Sequence, residues 1–205
     1  MKSLIDMYKT ESNIIFQNVS NDEILNLWDC IKTAYLNNNT IFMAGNGGNV
    51  GYIANMYTDF LIHPFVNDNK NMKIGTQNKR LKCINLTDSS STITGIANDL
   101  GYNNIFAEQL EIFGQPGDIF IGISGSGTSK NIIECIKVCE QNEIIPFIIT
   151  KNSNVTTNKI VINGISEFPG QIGKNMANFH FEDCISKITH IITGLLKQYV
   201  TEHTT

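Results

Sequence analysis

A three-layer, doubly wound α/β sandwich around a mainly parallel sheet, with extra N-terminal helices, is the fold class this sequence predicts. Three observations predict it. Short apolar runs of β-favouring residues alternate with helical segments along most of the chain. Three of those runs end in turns rich in glycine, hydroxyl or amide groups, around residues 45–49, 87–91 and 124–129. Amphipathic helical patterns stand at both ends of the chain.

Taken in order, Leu4, Ile5, Tyr8, Ile14, Ile15 and Phe16 give an imperfect helical pattern over residues 3–18, read as a packing helix. Ser20 and Glu23 are spaced as a capping box. Ile24, Leu27, Trp28, Ile31 and Tyr35 then mark one face of a second helix, expected against the first or against the same helix of another copy. Residues 40–44 are a short apolar run of the kind buried in a parallel sheet, and residues 50–61 resume a helical register. Residues 63–82 are polar and read as an excursion outside the core, with room for a short hairpin. Residues 81–86 are the next strand, and Asp88 or Ser89 can cap the helix that follows to Asn98. Residues 105–113 are amphipathic, residues 118–123 form another strand, and residues 132–140 another helix. Strands at 144–150 and 159–162 complete the sheet. Pro146 cannot donate to a ladder, so its strand is short or paired on one side there. In residues 178–199, Phe181, Ile185, Ile188, Ile192, Leu195 and Tyr199 recur at steps of four and three, a strong amphipathic helix.

The chain has 205 residues and 41% hydrophobic content, enough for one α/β domain with a full core. Within that domain, residues 1–36 are the N-terminal packing helices and 37–205 the α/β core with its C-terminal helix. A formal charge of −4 argues against broad nucleic-acid or anionic-membrane binding, and no apolar run approaches the ~20 residues of a membrane span. Five cysteines, an odd number with no CxxC pair, read as reduced core thiols. A cytoplasmic location follows as an expectation.

The turn at residues 123–131, ISGSGTSKN, joins a strand to a helix. Ser124, Ser126, Thr128 and Ser129 offer hydroxyls, Gly125 and Gly127 let backbone amides approach a ligand, and the helix start adds unpaired amides and a positive dipole end. It lacks the ending of a nucleotide P-loop and the acidic-partner spacing of a dinucleotide fingerprint, so a phosphate held by hydroxyls and amides is the functional reading. A solvated Ser/Gly linker is the alternative. The turn at Gly45-Asn46-Gly47-Gly48-Asn49 repeats the strand, turn, helix pattern, and in a parallel sheet both turns lie on one edge, where ligands bind. The last helix carries Glu182, Asp183 and His190. Glu182 and His190 are eight apart, ~12 Å along a regular helix, so both reach one metal only through a distorted first turn or from different copies. Taken alone, His190 is also readable as a histidine hydrogen-bonded in a core or an interface.

With these pieces laid out, the chain resembles the sedoheptulose-7-phosphate (phosphoheptose) isomerases, single-domain members of the sugar isomerase (SIS) fold, over nearly its whole length. Gly45-Asn46-Gly47-Gly48 looks like that family's first glycine loop, Thr87-Asp88 like its second substrate turn, residues 97–101 like a shared helix end, and Ser124-Gly125-Ser126-Gly127-Thr128-Ser129 like its phosphate loop. The family surrounds a zinc ion and the reacting carbons with a His and a Glu four residues apart after the first loop, and a Gln and a His eight apart on the last helix. The corresponding positions here are Asn55, Asp59, Glu182 and His190. The chain also departs from the family at Asn49, which stands for a Ser, and at Gly125, which stands for a common Thr. An Asn carbonyl is a poor zinc ligand.

The resemblance implies a phosphosugar isomerase that interconverts a ketose and an aldose phosphate, sedoheptulose 7-phosphate and a heptose 7-phosphate, through an enediol. Asp59 and His190 are its expected catalytic groups, and Asp59, Glu182 and His190 the expected ligands of Zn²⁺. Asn46, Gly47, Gly48, Thr87, Asp88, Ser124, Gly125, Ser126, Ser129 and Glu182 are the expected substrate-binding residues. The family's tetramers imply four copies with sites between subunits. Two rivals remain open: a non-catalytic regulator acting through oligomeric contacts, and a phosphosugar sensor using the same pocket.

Overall fold

The computed structural model describes residues 1–66, 79–170 and 177–203. Its centre is five strands, β1 (Thr40–Gly45), β2 (Lys82–Asn85), β3 (Ile119–Ile123), β4 (Ile145–Thr150) and β5 (Asn158–Val161), all parallel and in the order β2-β1-β3-β4-β5. Side chains alternate across a strand, and β1 shows the consequence. Ile41 and Met43 enter one core, while Phe42 and Ala44 enter the other.

The first core lies under α1 (Lys2–Gln17), α2 (Asn21–Asn37), α3 (Asn49–Ile62) and α7 (Asn178–Glu202). The second is smaller and holds α5 (Ala107–Phe113) and α6 (Lys130–Gln141), with α4 (Ser90–Asp99) packed at its margin. Helices thus cover both faces of the sheet. The strand order reverses between β1 and β3, whose following helices α3 and α6 lie on opposite faces, so the crevice of the fold opens between the turns after those two strands.

Several local expectations meet their test here. Ser20 caps α2, its hydroxyl accepting from the Glu23 N–H at 3.4 Å. The other half of the capping box is redirected: the Glu23 carboxylate accepts from the Val161 N–H at 2.8 Å, at the end of edge strand β5. Helix α2 packs mainly on the sheet and on α7 rather than on α1, because its apolar face is matched by the strands beneath it. Pro146 pairs with Phe120 of β3, whereas the β5 ladder begins one residue later at Phe147, so one-sided pairing accommodates it. A 3-10 turn at His63–Phe65 ends α3, and the hairpin expected within 63–82 falls largely on residues outside those described. All five cysteines are free thiols; burial pushes Cys83 and Cys139 up to about 12.

Helix α1 is held by a polar knot. The Glu11 carboxylate accepts from the Ser166 hydroxyl at 2.6 Å, the Glu167 N–H at 3.0 Å and the Nε2 of fully buried His180 at 3.0 Å. Burial opposes ionisation of Glu11, but the Ser166 hydroxyl, the Glu167 N–H and His180 outweigh it and hold the carboxyl below its usual range. An ionised Glu11 only accepts, so His180 donates from Nε2.

A carboxyl with a lowered folded-state pKa adds stability above its unfolded value and loses it as pH falls through the folded one. Replacing Glu11 by Ala is expected to cost about 1–3 kcal/mol at neutral pH, since it strips three donors of one acceptor. In urea titrations the gap from the parent protein closes on acidification below about pH 4. A gap independent of pH would contradict the ionised knot.

Candidate functional site

The Ser turn leaves β3 at the crevice. Ser124 is buried, and its hydroxyl lies 2.9 Å from that of Ser129, the N-cap of α6. Ser129 makes no cap bond of its own, so the first amides of α6 are left to the crevice. Ser126 is turned outward and accepts from both the N–H and the hydroxyl of Thr128 at 3.1 Å. Gly127 takes φ +66°, and a β-carbon there would stand 2.8 Å from Val155, which rules out a side chain. The Ser124 and Ser129 hydroxyls, the turn amides and the start of α6 thus meet at the crevice, while the Ser126 hydroxyl, expected among them, is engaged by Thr128 instead.

The first glycine turn meets it across the strand boundary. Asn46 Nδ2 donates to Asn131 Oδ1 at 2.9 Å, and Asn131 Nδ2 returns a bond to Asn46 Oδ1 at 2.8 Å. Asn131 sits in the first turn of α6 and is buried, so this double amide bond ties the two turns together. The Tyr102 hydroxyl donates to the same Asn46 oxygen at 3.0 Å. Sequence reasoning missed Asn131 and Tyr102. A polar residue opening an otherwise apolar helix face was a readable sign for Asn131; nothing marked Tyr102.

Gly47 and Gly48 carry the chain from Asn46 into α3. At the third turn Thr87 is buried, its N–H and hydroxyl both donating to Asn85 Oδ1, at 3.0 and 2.7 Å. Asp88 is exposed and accepts from Asn85 Nδ2. Thr87 therefore shapes its turn, while Asp88 stands out from it.

Helices α3 and α7 pack side by side, and two pairs of residues face each other along that seam. At the far end the buried Asp59 carboxylate lies 3.5 Å from His190 Nε2 and 3.9 Å from His63 Nδ1, and accepts from Asn55 Nδ2 at 3.2 Å. At the near end Glu182 faces Gly48, where a β-carbon would stand 3.3 Å from its Oε1, and accepts from the Tyr52 hydroxyl at 3.4 Å. Burial, then the Glu182 carboxylate, raises the Tyr52 pKa and keeps that phenol a donor.

Asp59 and His190 are thus brought together. Glu182 is not with them: α7 is regular from Asn178, so two turns and ~12 Å separate Glu182 from His190. The set Asp59, Glu182 and His190 is not a metal site within one chain, and among the described residues no other group of three His, Cys, Asp or Glu side chains is one. Asn55 turns its amide nitrogen toward Asp59, so of the four positions implied by the resemblance only Asp59 and His190 come together as donors, where zinc takes three or four. These residues do not fit a zinc ion within the single chain.

The SIS domain family profile matches residues 8–150. The chain is 34% identical over 167 residues to phosphoheptose isomerase 2 of Campylobacter jejuni, an alignment covering 78% of this chain and 77% of that one. It is 35% identical over 136 residues to phosphoheptose isomerase of Aneurinibacillus thermoaerophilus, covering 64% of each. Its structure superposes on a phosphoheptose isomerase from Neisseria gonorrhoeae with a TM-score of 0.74 at 17% identity, covering 96% and 98% of the two chains. At that identity the superposition speaks for the fold.

The tie between the glycine turns is measurable. Asn131→Ala is expected to lower unfolding free energy by about 1–3 kcal/mol, because it removes both amide bonds and leaves Asn46 Nδ2 without its acceptor. A double-mutant cycle with Asn46→Ala should give a coupling of at least ~0.5 kcal/mol; additive losses would mean that the turns are held independently.

Proposed function

Because the chain belongs to the SIS domain family, and within it to the phosphoheptose isomerases, we propose that its substrate is sedoheptulose 7-phosphate, interconverted with a heptose 7-phosphate. The observation that carries the chemistry is the 3.5 Å approach of His190 Nε2 to the buried Asp59 carboxylate. Aldose–ketose isomerisation removes a proton from one carbon, returns one to its neighbour through an enediol, and moves a hydroxyl proton the opposite way. It needs two groups that exchange protons over adjacent atoms. A carboxylate and an imidazole in contact supply that pair, and His190 is open enough for a sugar to reach.

The Ser turn holds the phosphate at the other end of the substrate, with Asp88 and the tied Asn46 as hydroxyl partners. Phosphate binding then supplies the remote energy that positions C1 and C2 against the proton-transfer pair. A regulator that only binds phosphosugar would use the Ser turn equally well, but it gives the Asp59–His190 contact no role.

Assembly is part of this reading. A second copy is what could bring a Glu182 to another chain's Asp59 and His190, and Leu4, Ile5 and Ile165 leave apolar surface exposed near the N-terminal helix. We expect a homotetramer with sites completed between subunits, in the cytoplasm; no described helix is long and apolar enough to cross a membrane. Light scattering at micromolar concentration should return four chain masses, and a monomer would contradict this assembly.

Asp59→Asn and His190→Ala should each lower kcat for sedoheptulose 7-phosphate by about 10²-fold or more, with smaller changes in KM. Unchanged turnover in either variant, with or without added Zn²⁺, would remove that residue from the chemistry.

A further inference from the structure

The Ser turn grips a phosphate with hydroxyls and amides alone; residues 123–129 carry no positive charge. A sugar phosphate is close to a dianion at neutral pH, so a nearby cation adds binding that neutral donors do not. The chain supplies one from the neighbouring strand end. Residues 149–152 run alongside the turn: the Ser124 N–H donates to the Ile149 carbonyl at 3.0 Å, the Lys151 N–H to the Gly125 carbonyl at 3.1 Å, and Asn152 Nδ2 to the Ser126 carbonyl at 3.1 Å. Backbone pairing therefore fixes where the Lys151 side chain starts.

Its course is set by what residue 125 lacks. A β-carbon at Gly125 would stand 3.3 Å from Lys151 Cε and 3.9 Å from its Nζ, so the lysine stem lies over the bare face of the turn. The ammonium is held by Asn178 Oδ1 and by the Phe181 ring, whose centroid is 5.9 Å away. An ammonium has three donors, and Asn178 engages one. We infer that Lys151 is a phosphate-binding residue of this site, placing its ammonium against the ester phosphate held by the Ser124–Ser129 turn.

Gly125 and Lys151 work as a unit in this arrangement: the glycine makes the space that the lysine fills. Burial lowers the Lys151 pKa and the Glu182 carboxylate only partly offsets that, so Glu182 acts here as the lysine's electrostatic companion at the phosphate end of the seam. That assignment agrees with its two-turn separation from His190. Lys151 has this role only if the Ser turn holds the substrate's phosphate, as proposed above.

The test separates the two readings by measuring binding apart from turnover. Calorimetric titration with inorganic phosphate should show saturable binding to the full chain, weakened about tenfold to hundredfold by Lys151→Met and largely restored by Lys151→Arg. Circular dichroism and Tm of both variants should match the parent. With sedoheptulose 7-phosphate, Lys151→Met should raise KM more than it lowers kcat. Equal phosphate affinity in parent and Lys151→Met, or no phosphate binding by the parent, overturns the inference. A parent that binds phosphate through Lys151 yet isomerises nothing upholds it and sinks the isomerase substrate reading instead.

Discussion

The packing of α3 against α7 is the contact on which the site depends. One helix springs from the first glycine turn, and the other comes from the far end of the chain. Lying side by side, they set Gly48 against Glu182 and, further along, Asp59 against His190. Loss of this packing would separate Asp59 from His190 while leaving the sheet intact. Ile53, Met56, Phe60, Ile185, Ile188 and Ile192 are buried in the same core, and burying one such side chain contributes roughly 1.5–3 kcal/mol. Apolar packing thus supports a polar pair that would be costly to assemble alone.

The sheet imposes the second constraint. Parallel strands put all following turns on one edge, and the reversal between β1 and β3 opens a crevice between two of them. The pair of hydrogen bonds between Asn46 and Asn131 spans that crevice and removes a freedom that two separate glycine turns would have. On the other flank, the end of β4 is stitched to the Ser turn by the backbone of Ile149 and Lys151. The Ser turn and the Asp59–His190 contact therefore stand on one frame.

Much of this was legible in the residues. Unbroken apolar runs such as residues 119–123 belong to strands buried on both faces; Ser20 announced a helix start that its hydroxyl does cap, and of the two candidates Asp88 and Ser89 it is Ser89 that caps α4. Asp59 and His190 were nameable through resemblance, and the eight-residue spacing already said that Glu182 would stand apart on a regular helix. What stayed hidden depends on tertiary contact. Glu23 looked like a local cap until an edge strand offered a better-placed N–H. Lys151 begins a polar stretch, KNSN, that reads as a solvated turn, and only the pairing of β3 with β4 carries it to the Ser loop.

The most direct test of the Asp59–His190 pair follows the proton itself. Sedoheptulose 7-phosphate incubated in D₂O with the parent protein should gain deuterium at C1 of the ketose and at C2 of the heptose 7-phosphate formed from it, seen by NMR. Asp59→Asn, folded and still binding phosphate, should show almost none. Deuterium entering at the same rate with both proteins would contradict the account.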